Sequence, residues 1–459
     1  MRKPADIIPK PGSSSNSKDF TQGAVHTHLI RLTGYMVLGL ISVMTAGLVE
    51  TIYIGNLGTN ELAALSFTFP LVMIFQGIAM GLSVGASSVV ARTMGLGDAQ
   101  RAKLLITHCF ILVIALTLVF TALAYNNVGT FFSLLGANDK ILPLTVSYMQ
   151  IWLLGLPFFT VAMVGSTLMR AAGDAVTPGY LMTIGSVLHV TIAPFFIFGL
   201  MSAPEMGLAG AALGFLLARS VSFAMYSYVI IFRDKLIDLR FEGFFSSCRD
   251  ILHVGLPAVA SNLIGPISMS VITRLLAGHG VVVVAGFGVA SRIEAMVMMV
   301  VFALSMSVAP FIGQNWGAAL FDRVKLALKL ANRFALLWGV VAYGILFVSA
   351  ETLVSLINDD PGVIDAAVIY LRILPLAMGF MGITANATST FNALGKPLPS
   401  LVISVLQSIV ISIPLALLGD YLFGYIGIFM SGALTMAMLG IVSWFWIIRQ
   451  VDTGIRRRS

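Results

Sequence analysis

Two glutamates lie inside long apolar segments of this chain, where a carboxylate group is costly and can carry chemistry. Glu50 lies near the end of the first apolar segment, and Glu294 lies deep inside a later one. A charge at the centre of a bilayer costs at least about 2.5–3.5 kcal/mol, so it usually faces a partner or a wet cavity. We interpret both glutamates as candidate coupling-ion residues. For Glu50, the alternative is a carboxylate that reaches the outer interface or fixes helix packing. For Glu294, it is a buried ion pair with Arg274 or with another cation of the helix bundle.

Other polar residues in the apolar segments form a second set of candidates. Hydrogen bonds between helices account for most such residues in membranes, but a transport pathway also needs polar groups. Met298 joins the set because it follows Glu294 by four residues on the same helix face, and methionine suits adaptable binding surfaces. The candidates for the substrate pathway are Gln76, His189, Asn262, Met298 and Asn386. The structural or gating candidates are Arg170, Asp174, Arg274 and Arg292, of which Arg170 and Asp174 are expected to form a cytoplasmic clasp.

The elements that position these residues follow from composition. Of 459 residues, 58% are hydrophobic and 10% are charged, whereas soluble domains carry about 25% charged residues. So few charges cannot cover a water-facing surface, and lipid must be the solvent. A membrane helix needs about 20 apolar residues to cross the hydrocarbon layer. We predict an all-α membrane protein with about twelve transmembrane helices, near 29–54, 62–88, 105–125, 143–166, 178–200, 207–232, 251–276, 283–309, 327–350, 365–388, 400–419 and 424–448.

Loop charges predict the orientation of the helices. Cytoplasmic loops carry an excess of Lys and Arg. One set of loops is basic, including Arg101, Arg233 and Lys325, and the other holds acids such as Asp139 and Asp360. Both termini are therefore expected in the cytoplasm of a bacterial inner-membrane protein. The predicted parts are a disordered tail (1–28), an N-lobe (29–232), an inter-lobe loop (233–250), a C-lobe (251–448) and a basic tail (449–459).

An internal repeat relates the two halves. A constant offset of 222 residues pairs Tyr148 with Tyr370 and Gly95 with Gly317, and it needs no gap from Gly58 to Gly173. Matching basic residues in equivalent loops argue against chance similarity. Because each half has six spans, the repeats are parallel and related by an axis along the membrane normal. Such duplications usually create a cavity between two lobes that can rock against each other.

Several ordered motifs resemble one transporter family. The segments GLVETIYIGNLGTNELAALSF (47–67), STLMRAAGDAVTPG (166–179), ASRIEAM (290–296) and FIGQNWGA (311–318) resemble the multidrug and toxic compound extrusion (MATE) family, closest to its DinF-like branch. The resemblance spans 29–448. It implies a V-shaped two-lobe fold, alternating access, and drug export driven by entry of protons or sodium ions.

The sequence departs from the ion sites that the resemblance implies. Glu50 stands where the family usually has an Asp in the first helix. Ala193 replaces an acid that precedes a proline in many members, and His189 stands where an Asn is common. Gly265 occupies the position nearest to an acid of the seventh helix. A lone carboxylate can bind a proton without further ligands, so we expect proton coupling rather than sodium coupling, with sodium as the alternative.

Three functional classes follow. The leading prediction is a cation-coupled antiporter that exports lipophilic, often cationic, drugs. The second is a flippase or exporter of a lipid-linked saccharide or other endogenous metabolite. A flippase cavity should be lined by several basic residues, and we identify only Arg274, Arg292 and Arg372 as clearly within spans.

The third class, a membrane enzyme, lacks a polar catalytic cluster in the sequence. A phosphate-binding Gly-Lys-Ser/Thr loop and a metal-ligand cluster are also missing. We therefore predict no enzyme, no metal and no cofactor apart from the coupling ion. The expected partners are a small-molecule substrate and membrane lipid, without nucleic acid, for a monomeric protein.

Overall fold

Twelve long apolar helices form the protein in a computed structural model that describes residues 19–456. All twelve predicted segments are confirmed as helices of membrane-spanning length. Lipid cannot hydrogen-bond to the backbone, so each segment satisfies its amide and carbonyl groups internally as a helix. The helices are α1 (Val25–Gly55), α2 (Thr59–Gly95), α3 (Ala99–Leu134), α4 (Ile141–Ala171), α5 (Thr177–Ile197), α6 (Leu208–Arg233), α7 (Phe244–Ala277), α8 (Val281–Gly317), α9 (Phe321–Ser355), α10 (Pro361–Ala393), α11 (Pro397–Phe423) and α12 (Tyr425–Arg456).

The helices extend beyond the predicted apolar segments, which corrects three predicted boundaries. Residues 25–28, expected within a disordered tail, begin α1, and Phe20 is buried. The inter-lobe connection is shorter than 233–250 because α7 already begins at Phe244. The basic tail is helical as far as Arg456. Polar residues continue these helices past the hydrocarbon layer, where hydropathy no longer marks them. Residues 1–18 and 457–459 lie outside the described part of the chain.

Two helices are interrupted within their length. In α10, a 3₁₀ segment Leu374–Ala377 contains Pro375, which cannot donate a backbone hydrogen bond. In α11, a π-helical segment Leu406–Ile411 precedes Pro414. Membrane helices tolerate such interruptions where neighbouring groups satisfy the freed backbone.

The helices are arranged as two lobes, α1–α6 and α7–α12. Because the spans alternate in direction, α1 begins and α12 ends on the same side, which we call the terminal side; the other is the opposite side. Towards the opposite side each lobe has its own buried cluster, around Trp152 and Phe215 in the N-lobe and around Phe287, Tyr370 and Phe429 in the C-lobe. The lobes therefore diverge towards the opposite side and form a V.

The lobes meet along the terminal halves of α2 and α8. Gly81 of α2 lies against the backbone of Val259 on α7. A Cβ atom on Gly95 would lie 1.9 Å from the carbonyl oxygen of Gln314, and one on Gly317 would lie 2.1 Å from that of Arg92. Gly95 and Gly317 are equivalent positions of the sequence repeat. Equivalent residues meet only near the symmetry axis, so the pseudo-two-fold axis passes through this contact.

The segment before α1 also connects the two lobes on the terminal side. Phe20 packs against Phe311 of α8, with ring centroids 6.1 Å apart. Arg323 of α9 donates hydrogen bonds to the carbonyl oxygens of Phe20 (2.8 Å) and Gly23 (2.7 Å). Gln314 donates to the carbonyl oxygen of Ala171 in the N-lobe (2.8 Å). These contacts hold the terminal side closed.

Adding one methyl group at the contact of the two glycines should destabilise the closed terminal side. We expect Gly317→Ala to cost roughly 1–3 kcal/mol, because overpacking must push α2 and α8 apart. The matched control is Gly344→Ala, at a helical glycine whose Cβ would meet nothing within 4 Å. Thermal unfolding of the purified variants measures the difference. Equal unfolding temperatures for the two variants would contradict the close contact.

Candidate functional site

The N-lobe brings a carboxylate and an imidazole together between α1 and α5. Glu50 lies five residues before the end of α1, and His189 lies on the inner face of α5. His189 Nε2 is 3.6 Å from Glu50 Oε1, and their side chains are 5% and 17% exposed. The sequence predicted separate roles for Glu50 and His189, as a coupling residue and a pathway residue. The fold makes them neighbours in one site.

An arginine on α6 completes this cluster. The Arg219 guanidinium lies over two phenylalanine rings, 5.4 Å from the centroid of Phe159 and 5.2 Å from that of Phe215. It lies within Coulombic range of Glu50. Phe215 in turn stacks on Trp152, with centroids 5.3 Å apart and planes 16° apart. The N-lobe site therefore joins one potential anion, two potential cations and a wall of aromatic rings.

Within residues 19–456, three buried polar atoms of this site lack hydrogen-bond partners. They are Glu50 Oε1, His189 Nε2 and Arg219 Nε, and the first two face each other at 3.6 Å. Buried polar groups are almost always hydrogen-bonded, and unpaired ones deserve an explanation. A cluster in which an acid, an imidazole and a guanidinium each keep one atom without a hydrogen bond is suited to receive a proton or a ligand.

Sequence reasoning missed Arg219. The count of basic residues within spans gave only Arg274, Arg292 and Arg372, although Arg219 lies inside the predicted segment 207–232. That count was wrong. The available signal was an arginine in an apolar helix with no acid three or four residues away on either side.

The C-lobe holds its carboxylate differently. The Tyr370 hydroxyl of α10 donates a hydrogen bond to Glu294 Oε2 of α8. The Tyr370 ring packs edge to face against Phe287 and Phe429, at centroid distances of 5.6 and 5.0 Å. Within residues 19–456, Glu294 forms no ion pair, and Arg274 is exposed. The predicted alternative of a Glu294–Arg274 pair is therefore wrong, because a neutral phenol is the partner.

The sequence repeat places equivalent tyrosines beside the two glutamates. Tyr148 of α4 is buried and within Coulombic range of Glu50, and its repeat partner Tyr370 contacts Glu294. The glutamates themselves lie on non-equivalent helices, α1 and α8. Each lobe thus places the same repeat tyrosine near a glutamate. The glutamate comes from the first helix of the N-lobe but from the second helix of the C-lobe.

The other predicted pathway residues lie apart from these sites. Gln76 is exposed on α2, and Asn262 of α7 donates to the carbonyl oxygen of Gly77 across the lobe contact (3.4 Å). Met298 is 1% exposed in the C-lobe core. Asn386 is fully buried, and its amide donates to Asn332 Oδ1 (3.1 Å). Met298 and Asn386 therefore pack inside the C-lobe and do not line the space between the lobes.

The predicted gating residues are divided between the terminal side and exposed helix faces. Arg170 is buried and donates to Ser166 Oγ (2.7 Å) and Thr167 Oγ1 (2.9 Å) of its own helix. Asp174 accepts from the backbone amide of Thr177 at the start of α5 and from Arg233 Nη2 (2.6 Å). The acid thus links α5 to the end of α6. Arg274 and Arg292 are exposed.

Comparison with known proteins identifies a family that matches both lobes and relatives that cover most of the chain. The MatE family matches residues 36–195 and 257–418, once in each lobe. The FAD transporter of Shewanella oneidensis is 34% identical over 412 residues, which cover 89% of this chain and 91% of the relative. The multidrug export protein MepA of Staphylococcus aureus is 24% identical over 422 residues, 90% of this chain and 91% of the relative.

Solved structures of MATE transporters share the fold of this chain. The Vibrio cholerae MATE transporter VcmN in its bent form superposes with a TM-score of 0.90 at 27% identity, over 94% of this chain and 98% of that one. An outward-facing multidrug resistance MATE family transporter superposes with a TM-score of 0.90 at 23% identity, over 96% of this chain and 99% of that one.

The unpaired N-lobe carboxylate should be essential for coupled transport. We expect Glu50→Gln to reduce transport to background and Glu50→Asp to retain part of it, because only the aspartate can still exchange a cation. The matched control is Glu351→Gln, which neutralises an exposed carboxylate near the end of α9 and should transport normally. Substrate efflux, normalised to the amount of folded protein in the membrane, measures the effect. Normal efflux by Glu50→Gln would leave the carboxylate a structural role only.

Proposed function

Because the chain belongs to the MATE family of membrane transporters, we propose that it exports FAD, or a closely related flavin nucleotide, in exchange for entering protons. The similarity to the FAD transporter of Shewanella oneidensis carries this proposal. At 34% identity it exceeds the 24% identity to MepA of Staphylococcus aureus. The proposal therefore favours the second predicted class, export of an endogenous metabolite, over drug export.

The aromatic wall of the N-lobe site supports this substrate class. FAD carries two planar ring systems, and aromatic side chains offer such rings stacking surfaces. Trp152, Phe159 and Phe215 line the side of the cluster that holds Arg219. Export of lipophilic cations is the second candidate function. Relatives named as multidrug exporters favour it, as do the two carboxylates that a cation would neutralise.

Proton coupling rests on what surrounds Glu50. A hard cation such as sodium needs several oxygen ligands around one position. The neighbours of Glu50 include the His189 imidazole (3.6 Å) and the Arg219 guanidinium, which offer nitrogen donors and positive charge. The Ala193 side chain, also in the N-lobe core, supplies no oxygen, and the nearby Tyr148 phenol offers a single one. A proton needs no such shell, so the Glu50 carboxyl group can bind one by itself.

The two lobes supply the transport step. Protonation lowers the cost of holding the Glu50 carboxyl away from water and so changes the relative stability of two lobe packings. The lobes then rock about the glycine contact of α2 and α8, which exposes the N-lobe site to one side at a time. The Glu294–Tyr370 pair is the proposed second carboxylate that responds to protons. The protein is proposed to act as a monomer in a bacterial inner membrane.

Transport in reconstituted vesicles tests both substrate and ion. We expect a pH gradient without sodium to drive FAD uptake into inverted vesicles, because the only exchanged ion is the proton. The controls are empty vesicles and vesicles with Glu50→Gln protein. FAD transport that requires a sodium gradient and ignores pH would overturn proton coupling. Transport of a cationic dye such as ethidium but not of FAD would favour the second candidate function.

Orientation in the membrane is tested by the loops. We propose that the terminal side faces the cytoplasm, because the basic loops lie there. Single cysteines near Asp139 and Asp360, on the opposite side, should react with an impermeant maleimide added to intact cells. A cysteine near Lys235 should stay protected until the membrane is permeabilised. The reverse result would invert the orientation.

A further inference from the structure

We propose that Arg219 is a phosphate-binding residue of the substrate site, which selects flavins that carry phosphate over those that do not. The inference rests on the proposed export of a flavin nucleotide and assigns the recognition of its anionic part to one side chain.

Arg219 is a cation inside a membrane helix without an anion bound to it. Within residues 19–456, its guanidinium donates no hydrogen bond and forms no ion pair, and Nε is buried without a partner. Its contacts are the faces of Phe159 and Phe215. Charged residues at membrane depth are costly and usually pair with one another or with backbone carbonyls. An unpaired guanidinium in this position is explained by a ligand that brings the missing anion.

Glu50 does not bind Arg219 directly within the described residues. It lies within Coulombic range of Arg219 but forms no ion pair with it, and its contact is with His189, at 3.6 Å. Phe215, whose ring packs 5.9 Å from that of His189, also carries Arg219 on its face. Arg219 is therefore held by aromatic rings, and its anionic neighbour interacts with it only at longer range.

The geometry of arginine suits a phosphate group in particular. The guanidinium is planar, stays charged, and presents paired donors that match two oxygens of a phosphate. Stacking on Phe159 and Phe215 leaves the guanidinium edge as the part that can bind a ligand. Trp152 and Phe215 are buried and stack on each other, so the half-buried ring of Phe159 is the aromatic surface that the ring of a nucleotide can approach. One site can thus hold both an aromatic ring and a phosphate.

Riboflavin, FMN and FAD separate the two parts of this recognition. All three contain the flavin ring system. Riboflavin carries no phosphate, FMN carries one and FAD carries two. Isothermal titration calorimetry of the purified full-length protein should show FMN and FAD binding more tightly than riboflavin. In Arg219→Gln, we expect affinity for FMN and FAD to fall roughly 10- to 100-fold, the scale of a charge-assisted hydrogen bond, while riboflavin affinity stays constant.

Two further variants make the result specific. Arg219→Lys keeps the positive charge but loses the planar pair of N–H donors, so it should retain part of the preference for flavins that carry phosphate. If Arg219→Gln does not fold, Arg219→Lys alone tests whether Arg219 binds the phosphate. An unchanged preference for FMN over riboflavin in Arg219→Lys would overturn the proposal. The matched control is Arg372→Gln, which removes an exposed guanidinium that lies 5.4 Å from the ring of Phe347 in the other lobe. The control should bind all three flavins as the unaltered protein does.

Other outcomes separate the inference from the proposed function. Equal losses of riboflavin, FMN and FAD in Arg219→Gln would overturn the phosphate role and indicate a structural one. If the unaltered protein binds no flavin, the proposed substrate is wrong, and ADP and inorganic pyrophosphate become the probes. Binding of either that depends on Arg219 would preserve the anion site. Binding of neither would overturn the inference as well.

Discussion

Hydrocarbon offers no hydrogen bonds, so every polar group that the chain carries into the membrane must find its partner inside the protein. This constraint makes all twelve spans helical. Glycines separately allow the backbones of α2 and α8 to approach closely. Most polar side chains satisfy the constraint within the protein: serine and threonine hydroxyls donate to carbonyl oxygens one turn earlier, and the Asn386 amide donates to Asn332. Against this background, groups without a partner are informative.

The two glutamate sites satisfy the constraint to different extents. In the C-lobe, the Tyr370 phenol donates to Glu294, and aromatic rings enclose the pair. In the N-lobe, Glu50, His189 and Arg219 lie together, yet each keeps a buried polar atom without a hydrogen bond within residues 19–456. The repeat thus gives both lobes one scaffold, and the N-lobe glutamate site retains unsatisfied groups. Unpaired buried polar groups lower stability, and proteins retain them at functional sites, where ligand binding can compensate.

The terminal side shows how closure is stabilised. The repeat-equivalent Gly95 and Gly317 touch at the pseudo-symmetry axis, while Phe20 and Arg323 tie the segment before α1 to the C-lobe. The first contact is symmetric and depends on the absence of side chains. The second is asymmetric and depends on hydrogen bonds to backbone carbonyls. A switch to the other orientation must break both, so the closed side has two separable energetic contributions.

By itself, the sequence determined the number of spans, their approximate bounds, the two-fold repeat and the position of Glu50 and Glu294 as acids within apolar segments. These depend on local hydropathy and on residue type, which the chain states directly. Only the tertiary structure decided that His189 lies beside Glu50, that Tyr370 rather than Arg274 holds Glu294, and that Met298 and Asn386 are packed inside the C-lobe. It also decided that helix α1 begins within the predicted tail.

The side-chain contacts depend on which faces of distant helices meet. Helix faces in lipid are nearly uniform in hydropathy, so the pattern of apolar residues carries little information about these contacts. Arg219 lay between the two cases: its type and position were visible in the sequence, but its lack of a partner is a property of the packed N-lobe.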